Sequence, residues 1–196
     1  MSRYLQAQPD GVLVWLSVRP PSLERRLFEH LLAAPQTLEL NVPALAAALG
    51  HPVPSVARAL FVLNRHASIA VQDGVAPLSA AASPAMRGGM HQGISGLDQD
   101  LTDICCEQGE IMLASDDGFC IAQAGLSPER AQWLAAQLPS GDGLTQSFRA
   151  VLCFGGRTLH FYASPGINLK HPLMLRMGVH LLQGCYLPSA TTGNGN

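Results

Sequence analysis

The sequence predicts an α+β protein in two parts, and three observations lead there. Runs with helical spacing alternate with short β-rich runs along the whole chain. An almost uncharged stretch, "VAPLSAAASPAMRGGMHQG" from Val75, interrupts that alternation and reads as a connection between domains. The charge balance also changes across it: residues 1–75 hold six arginines against five acids, whereas residues 94–196 hold four arginines and one lysine against nine acids. A chain of 196 residues has room for one ordinary domain or two small ones. The expected division is a first domain over 1–78, a linker over 79–93, a second domain over 94–188 and a disordered tail over 189–196.

In the first part, "GVLVWLSV" at residues 11–18 is an apolar, β-branched run closed by Arg-Pro-Pro, and it predicts a strand. Ser22 sits where an N-cap belongs, and Leu23, Leu27, Phe28, Leu31 and Leu32 follow at helical spacing until Pro35. "TLEL" is a short strand candidate. Asn41 is a second cap, with Pro43 tolerated in the first turn and Val42, Leu45, Ala46 and Leu49 on one face before Gly50. After "HPVP", Ser55 is expected to cap a third helix running to Arg65, and "SIAVQDG" supplies a strand and a turn.

This order, from residue 22 to about residue 78, resembles a winged-helix domain. In such a domain the third helix enters the DNA major groove, and the residues to watch here are Ser55, Arg58, Asn64 and Arg65. Arg58 and Arg65, seven apart, fall on one face. Two arginines are a thin footprint for phosphate neutralisation, and the wing carries an acid in "QDG". Protein contact or dimerisation is therefore the preferred use, with a DNA-binding transcriptional regulator as the alternative.

The second part opens with an amphipathic helix. Leu97, Leu101, Ile104 and Cys105 form its apolar face, and Asp98, Asp100, Asp103 and Glu107 are expected on the solvent side. "IMLASDDGFCIAQAG" at residues 111–125 is a β-hairpin folded over Asp116, Asp117 and Gly118, because a glycine reaches positive φ at little cost. Ile121 is expected to face the core. Ser127 caps a helix that begins at Pro128 and buries Ala131, Leu134, Ala135 and Leu138. "SFRAVLCF" and "RTLHFYAS" are strands meeting at Gly155-Gly156, "PGINLKHP" is a loop, and "LMLRMGVHLLQGCYL" is a closing helix despite Gly178.

Helix, hairpin, helix, hairpin, helix makes an α/β sandwich with an antiparallel sheet. Residues 94 to about 187 resemble the Roadblock/LC7 family, whose fold is related to longin and profilin domains. The features that carry the resemblance are the acidic-Gly hairpin after an amphipathic helix, the small-residue exit strand, the Ala-rich second helix, and a strand ending in Ser-Pro-Gly-x-Asn before the last helix. The resemblance implies a non-enzymatic scaffold that dimerises and binds partner proteins, a small Ras-like GTPase among them. Between Leu138 and Ser147 the chain has only "PSGDGLTQ", where that family places a full extra strand, so a shortened strand is expected at the usual dimer edge, with the first domain as the alternative source of self-contact.

Composition agrees with association. The chain is 47% hydrophobic and 13% charged, so Ala, Gly, Ser, Gln and apolar groups must cover much of its surface. A homodimer or a stable hetero-complex is the expectation. A net charge of -2 gives no overall pull toward nucleic acid or anionic lipid. The cysteines, 105, 106, 120, 153 and 185, contain no CxxC pair and suit free thiols in the reducing cytoplasm. The N-terminus lacks the pattern of a signal peptide, and no apolar run is long enough to span a membrane.

No catalytic, cofactor-binding or metal-binding residue is expected. His30, His51, His66, His91, His160, His171 and His180 make no HxxxH pair and no zinc spacing with cysteine, and read as surface or capping residues. The glycine turns "SGDG" and "CFGG" do not lead into GK[ST], and Asp116 and Asp117 read as turn formers.

Overall fold

Caps already visible in the sequence start three of the helices. The computed structural model describes residues 2–17, 20, 22–34, 37–74, 95–105, 109–140, 147–154 and 156–185. The elements run β1 (Arg3–Ala7), α1 (Pro9–Leu16), α2 (Leu23–Ala33), β2 (Leu38–Glu39), α3 (Val42–Leu49), α4 (Val53–Arg65) and β3 (Ile69–Asp73). The second half continues with α5 (Ser95–Cys105), β4 (Ile111–Ser115), β5 (Cys120–Ala124), α6 (Pro128–Gln137), β6 (Phe148–Phe154), β7 (Arg157–Ala163) and α7 (Leu173–Cys185). Backbone N–H groups of Arg25, Ala44 and Arg130 donate to the side-chain oxygens of Ser22, Asn41 and Ser127 at 3.3, 3.1 and 3.3 Å. Each bond satisfies a donor that the first turn of a helix would leave orphaned. The expected linker and tail, together with Pro35, His91, Cys106, Glu107, residues 141–146 and Gly155, lie outside the described residues.

Three sequence expectations are corrected. The strand expected over 11–18 is not formed: α1 occupies 9–16, with Pro9 in its first turn and Gly11, Val12, Leu13, Trp15 and Leu16 buried, and Val18 lies outside the described residues. A short run that is apolar all round carries no period to separate helix from strand. The strand of this region is β1, just before it, which pairs antiparallel with β2 and β3 in the order β2-β1-β3. Ser55 is not a cap, because α4 already starts at Val53 with Pro52 in the capping position. Asp100 does not face solvent; it is 1% exposed.

The second sheet has the order β5-β4-β7-β6, all antiparallel. Its register sorts side chains onto two faces. Ile111, Leu113, Leu152, Leu159, Phe161 and Ala163 point to one side, into the main apolar core with α5 and α7. Met112, Ala114 and Tyr162 point to the other, where Leu126, Ala131, Leu134, Ala135 and Leu138 of α6 and its flanks close a smaller cluster. In the hairpin, Leu113 pairs with Ala122 and Ala114 with Cys120, which leaves Ile121 as the extra residue of a bulge. Ile121 is half-buried against the main core, as expected.

The main core does not stop between the halves. It runs from Val12, Leu16, Phe28 and Leu32 through Met174, Met177 and Leu181 to the sheet. Gly178 makes the close approach possible: a Cβ there would lie 2.9 Å from Leu32 Cδ2 and 3.2 Å from Val12 Cγ1. Two polar links cross the same seam. Arg25, buried and paired to Glu29 at 2.7 Å, also donates to the carbonyl of Cys153 on β6, and Lys170 Nζ reaches Asp10 Oδ2 at 3.0 Å.

Candidate interaction surfaces

The hairpin tip is built by turn chemistry. The Gly118 amide donates to the Ser115 carbonyl at 3.0 Å, Gly118 takes φ +78°, and the Phe119 amide donates to Ser115 Oγ at 3.1 Å. Asp116 does more than turn the chain. Its Oδ1 lies 3.0 Å from Nε2 of His160, which is 8% exposed on β7, so this histidine is neither a surface nor a capping residue. His171 does act as a cap, with Nδ1 accepting from the Leu173 amide at 3.3 Å.

Beside this tip the described residues cover the α6 side of the sheet only in part. Register places Arg149 beside Tyr162 and Val151 beside His160 on that face. A groove of about 610 Å³ opens there, lined by Leu138, Pro139, Arg149, Val151 and His160 among others. β6 is one of the two edge strands of this sheet, and Phe148 and Val151 on it are 41% and 43% exposed. Arg25 takes a carbonyl near one end of this strand, at Cys153. A seven-residue edge bearing apolar side chains is a template for pairing with another strand.

Two polar clusters hold the surroundings in place. Glu110 accepts from Tyr162 Oη at 3.0 Å and from Arg130 at 2.9 Å, tying β4, β7 and α6 together. Burial, and then the Glu110 carboxylate, push the Tyr162 hydroxyl above its ordinary pKa. On the other side of the sheet, Asp100 of α5 pairs with Arg176 and, at 2.5 Å, with Nδ1 of His180, both on α7. Asp103 joins through Arg176 Nη2 at 2.9 Å. Sequence reasoning missed this cluster, since its members are 73 to 80 residues apart.

Burial raises the Cys120 thiol pKa, with Asp98 adding to it, which disfavours the thiolate. Cys105, buried, donates to the Gly109 carbonyl at 2.8 Å. Among the described residues no group of three or more His, Cys, Asp and Glu side chains converges to hold a metal ion, and no single helix is long and apolar enough to cross a membrane.

All four residues proposed for DNA contact, Ser55, Arg58, Asn64 and Arg65, are exposed on α4, which meets α3 at a bend of 105°. At 100° per residue, Arg58 and Arg65 share one stripe, while Ser55 and Asn64 fall on its opposite flanks. Between the arginines lies Phe61, 66% exposed, which the sequence reading did not single out. Its signal was present: Val56, Ala59, Leu60 and Leu63 complete a buried face that leaves position 61 outside.

The arrangement defines a mixed α+β protein with two antiparallel sheets; among the described residues its exposed surfaces include a hairpin tip, a sheet edge with its groove, and a helix face. Compared with protein-family models, curated proteins and solved structures, the chain matches none.

Proposed function

We propose that this protein is a non-enzymatic adaptor or regulator that binds partner proteins through a Roadblock/LC7-like second half, as a homodimer or within a stable hetero-complex. The exposed apolar side chains of β6 carry the reading: Phe148 and Val151, at the edge of the sheet beside a groove, offer a surface suited to contact with a second chain. The strand order β5-β4-β7-β6, with α6 on one face and α5 and α7 on the other, is compatible with the family resemblance. A small Ras-like GTPase is one partner class that this resemblance offers. The free thiols of Cys105 and Cys120 agree with a cytoplasmic setting.

Light scattering at about 10 μM is the test. We expect a dimer that Val151→Arg, at an exposed position, converts to a monomer without loss of helical signal. A wild-type monomer would remove self-association and leave only the hetero-complex, whereas a Val151→Arg dimer would exclude the β6 edge as the contact.

The second reading is a winged-helix regulator that contacts DNA through Ser55, Arg58, Asn64 and Arg65, favoured by the 105° bend between α3 and α4. It requires binding to random duplex DNA that weakens steeply with salt. No binding near about 100 mM salt rules it out.

A further inference from the structure

The outer face of α4 fits an acidic protein segment better than it fits DNA. Pro54, Arg58, Phe61 and Arg65 recur at i, i+4, i+7 and i+11 and are all exposed, so they form one stripe along the helix. Neither α3 nor α4 carries an acid, and neither Arg58 nor Arg65 has an ion-pair partner among the described residues. Four other arginines are in ion pairs, Arg3 with Asp73, Arg25 with Glu29, Arg130 with Glu110, and Arg176 with Asp100 and Asp103, while Arg26 lies 3.0 Å from His51. The α4 stripe is thus a positive strip with an apolar centre.

Its composition argues against a nucleic-acid groove. Two cations neutralise few phosphates, and the Phe61 ring occupies the middle of the strip, where a base reader would present hydrogen-bonding groups. The exposed side of α3 offers Pro43, Ala44, Ala47 and Ala48, none of which can bond a phosphate through its side chain. An aromatic anchor flanked by arginines is instead the composition of a protein-binding hot spot with charged rims. Arg58 and Arg65 are two turns apart, about 10 Å along the axis, which matches carboxylates two turns apart on a facing helix.

We infer that α4 docks an acidic amphipathic helix of a partner protein, with an apolar side chain against Phe61 and carboxylates against Arg58 and Arg65. This rests on the adaptor reading but uses a surface on the first half, away from the β6 edge.

The experiment measures fluorescence anisotropy of three labelled probes against the full chain. The first is a synthetic helix of about 20 residues with a leucine seam flanked by glutamates, the second replaces the glutamates with lysines, and the third is a duplex of about 20 base pairs. The glutamate peptide should bind with Kd below about 100 μM near 100 mM salt, and the other two should not bind in that range. Arg58→Glu with Arg65→Glu should weaken the glutamate peptide by about tenfold or more and confer binding of the lysine peptide. Phe61→Ala should weaken the glutamate peptide by a similar factor. All three positions are exposed, so circular dichroism should remain that of the wild type.

Absence of glutamate-peptide binding at about 100 μM, equal binding by the charge-reversed variant, or preference for the duplex would each overturn the assignment. Val151→Arg reports on self-association through β6 and the anisotropy reports on α4; the adaptor reading itself fails if the full chain is a monomer and also binds none of the peptides, whereas a dimer that binds no glutamate peptide overturns only the α4 assignment.

Discussion

The two faces of the four-stranded sheet are covered in different ways. The inner face meets α5 and α7, and beyond them α1 and α2 of the first half, in one continuous core with a partly buried ionic cluster around the buried Asp100. Among the described residues the outer face has α6 alone, resting on a small cluster around Met112, Leu134 and Tyr162, with a groove on its β7–β6 side. The same strands therefore supply a densely supported side and a thinly covered one. Local stability follows the number of buried neighbours, so the outer face is where the fold yields first and where surface remains for contact.

The largest expected effect tests the inner side. Asp100→Ala leaves Arg176 and His180 without their buried carboxylate and should cost about 3 kcal/mol, read as a lowered urea midpoint for the whole protein. A loss below about 1 kcal/mol would mean that the cluster is solvated and that the inner face owes little to it.

The next effect tests the outer side. Leu134, 1% exposed, anchors the smaller cluster, and Leu134→Ala should cost about 2.5 kcal/mol. Hydrogen exchange sharpens the comparison: α6 amides should lose protection while those of α5 and α7 keep theirs. Equal loss everywhere would make the two faces one cooperative unit.

A smaller effect concerns pH. Tyr162 holds its proton more tightly in the fold than in the unfolded chain, so its contribution to stability is complete below the unfolded pKa, about 10, and is lost as pH rises through the higher folded value. Tyr162→Phe should therefore flatten part of the decline in urea midpoint above about pH 10. An unchanged alkaline decline would remove Tyr162 as its source.

The smallest effect belongs to the hairpin tip. Asp116→Asn with Asp117→Asn keeps residues suited to turns and keeps an oxygen near His160, so the melting temperature should move by no more than a few degrees. Loss of partner binding in a folded double variant would instead make the tip a recognition element.

Much of the local structure could be read from the residues themselves, because caps and turns act over three or four positions. Ser22, Asn41 and Ser127 cap the helices they were expected to cap, and Gly118 turns the hairpin. What could not be read depends on distant neighbours. α1 is a helix because both halves bury it, and its uniform apolarity carries no trace of that. Asp100 is drawn inward by Arg176 and His180, and Gly178 is tolerated mid-helix because Leu32 and Val12 need its space. Of the surfaces, the Arg58–Arg65 pair was visible at helical spacing. The edge position of β6 was not, because it depends on strand order.

The tight seating of Gly178 against α1 and α2 also bears on synthesis. Leu32 and Val12 emerge from the ribosome long before α7 is made, so the first half carries an unmatched apolar face while the remainder is translated. Its final packing waits for the last helix described. During that interval the nascent chain is a natural client for a chaperone, and a ribosome stalled before α7 would leave a fragment prone to aggregate although each of its own helices is intact.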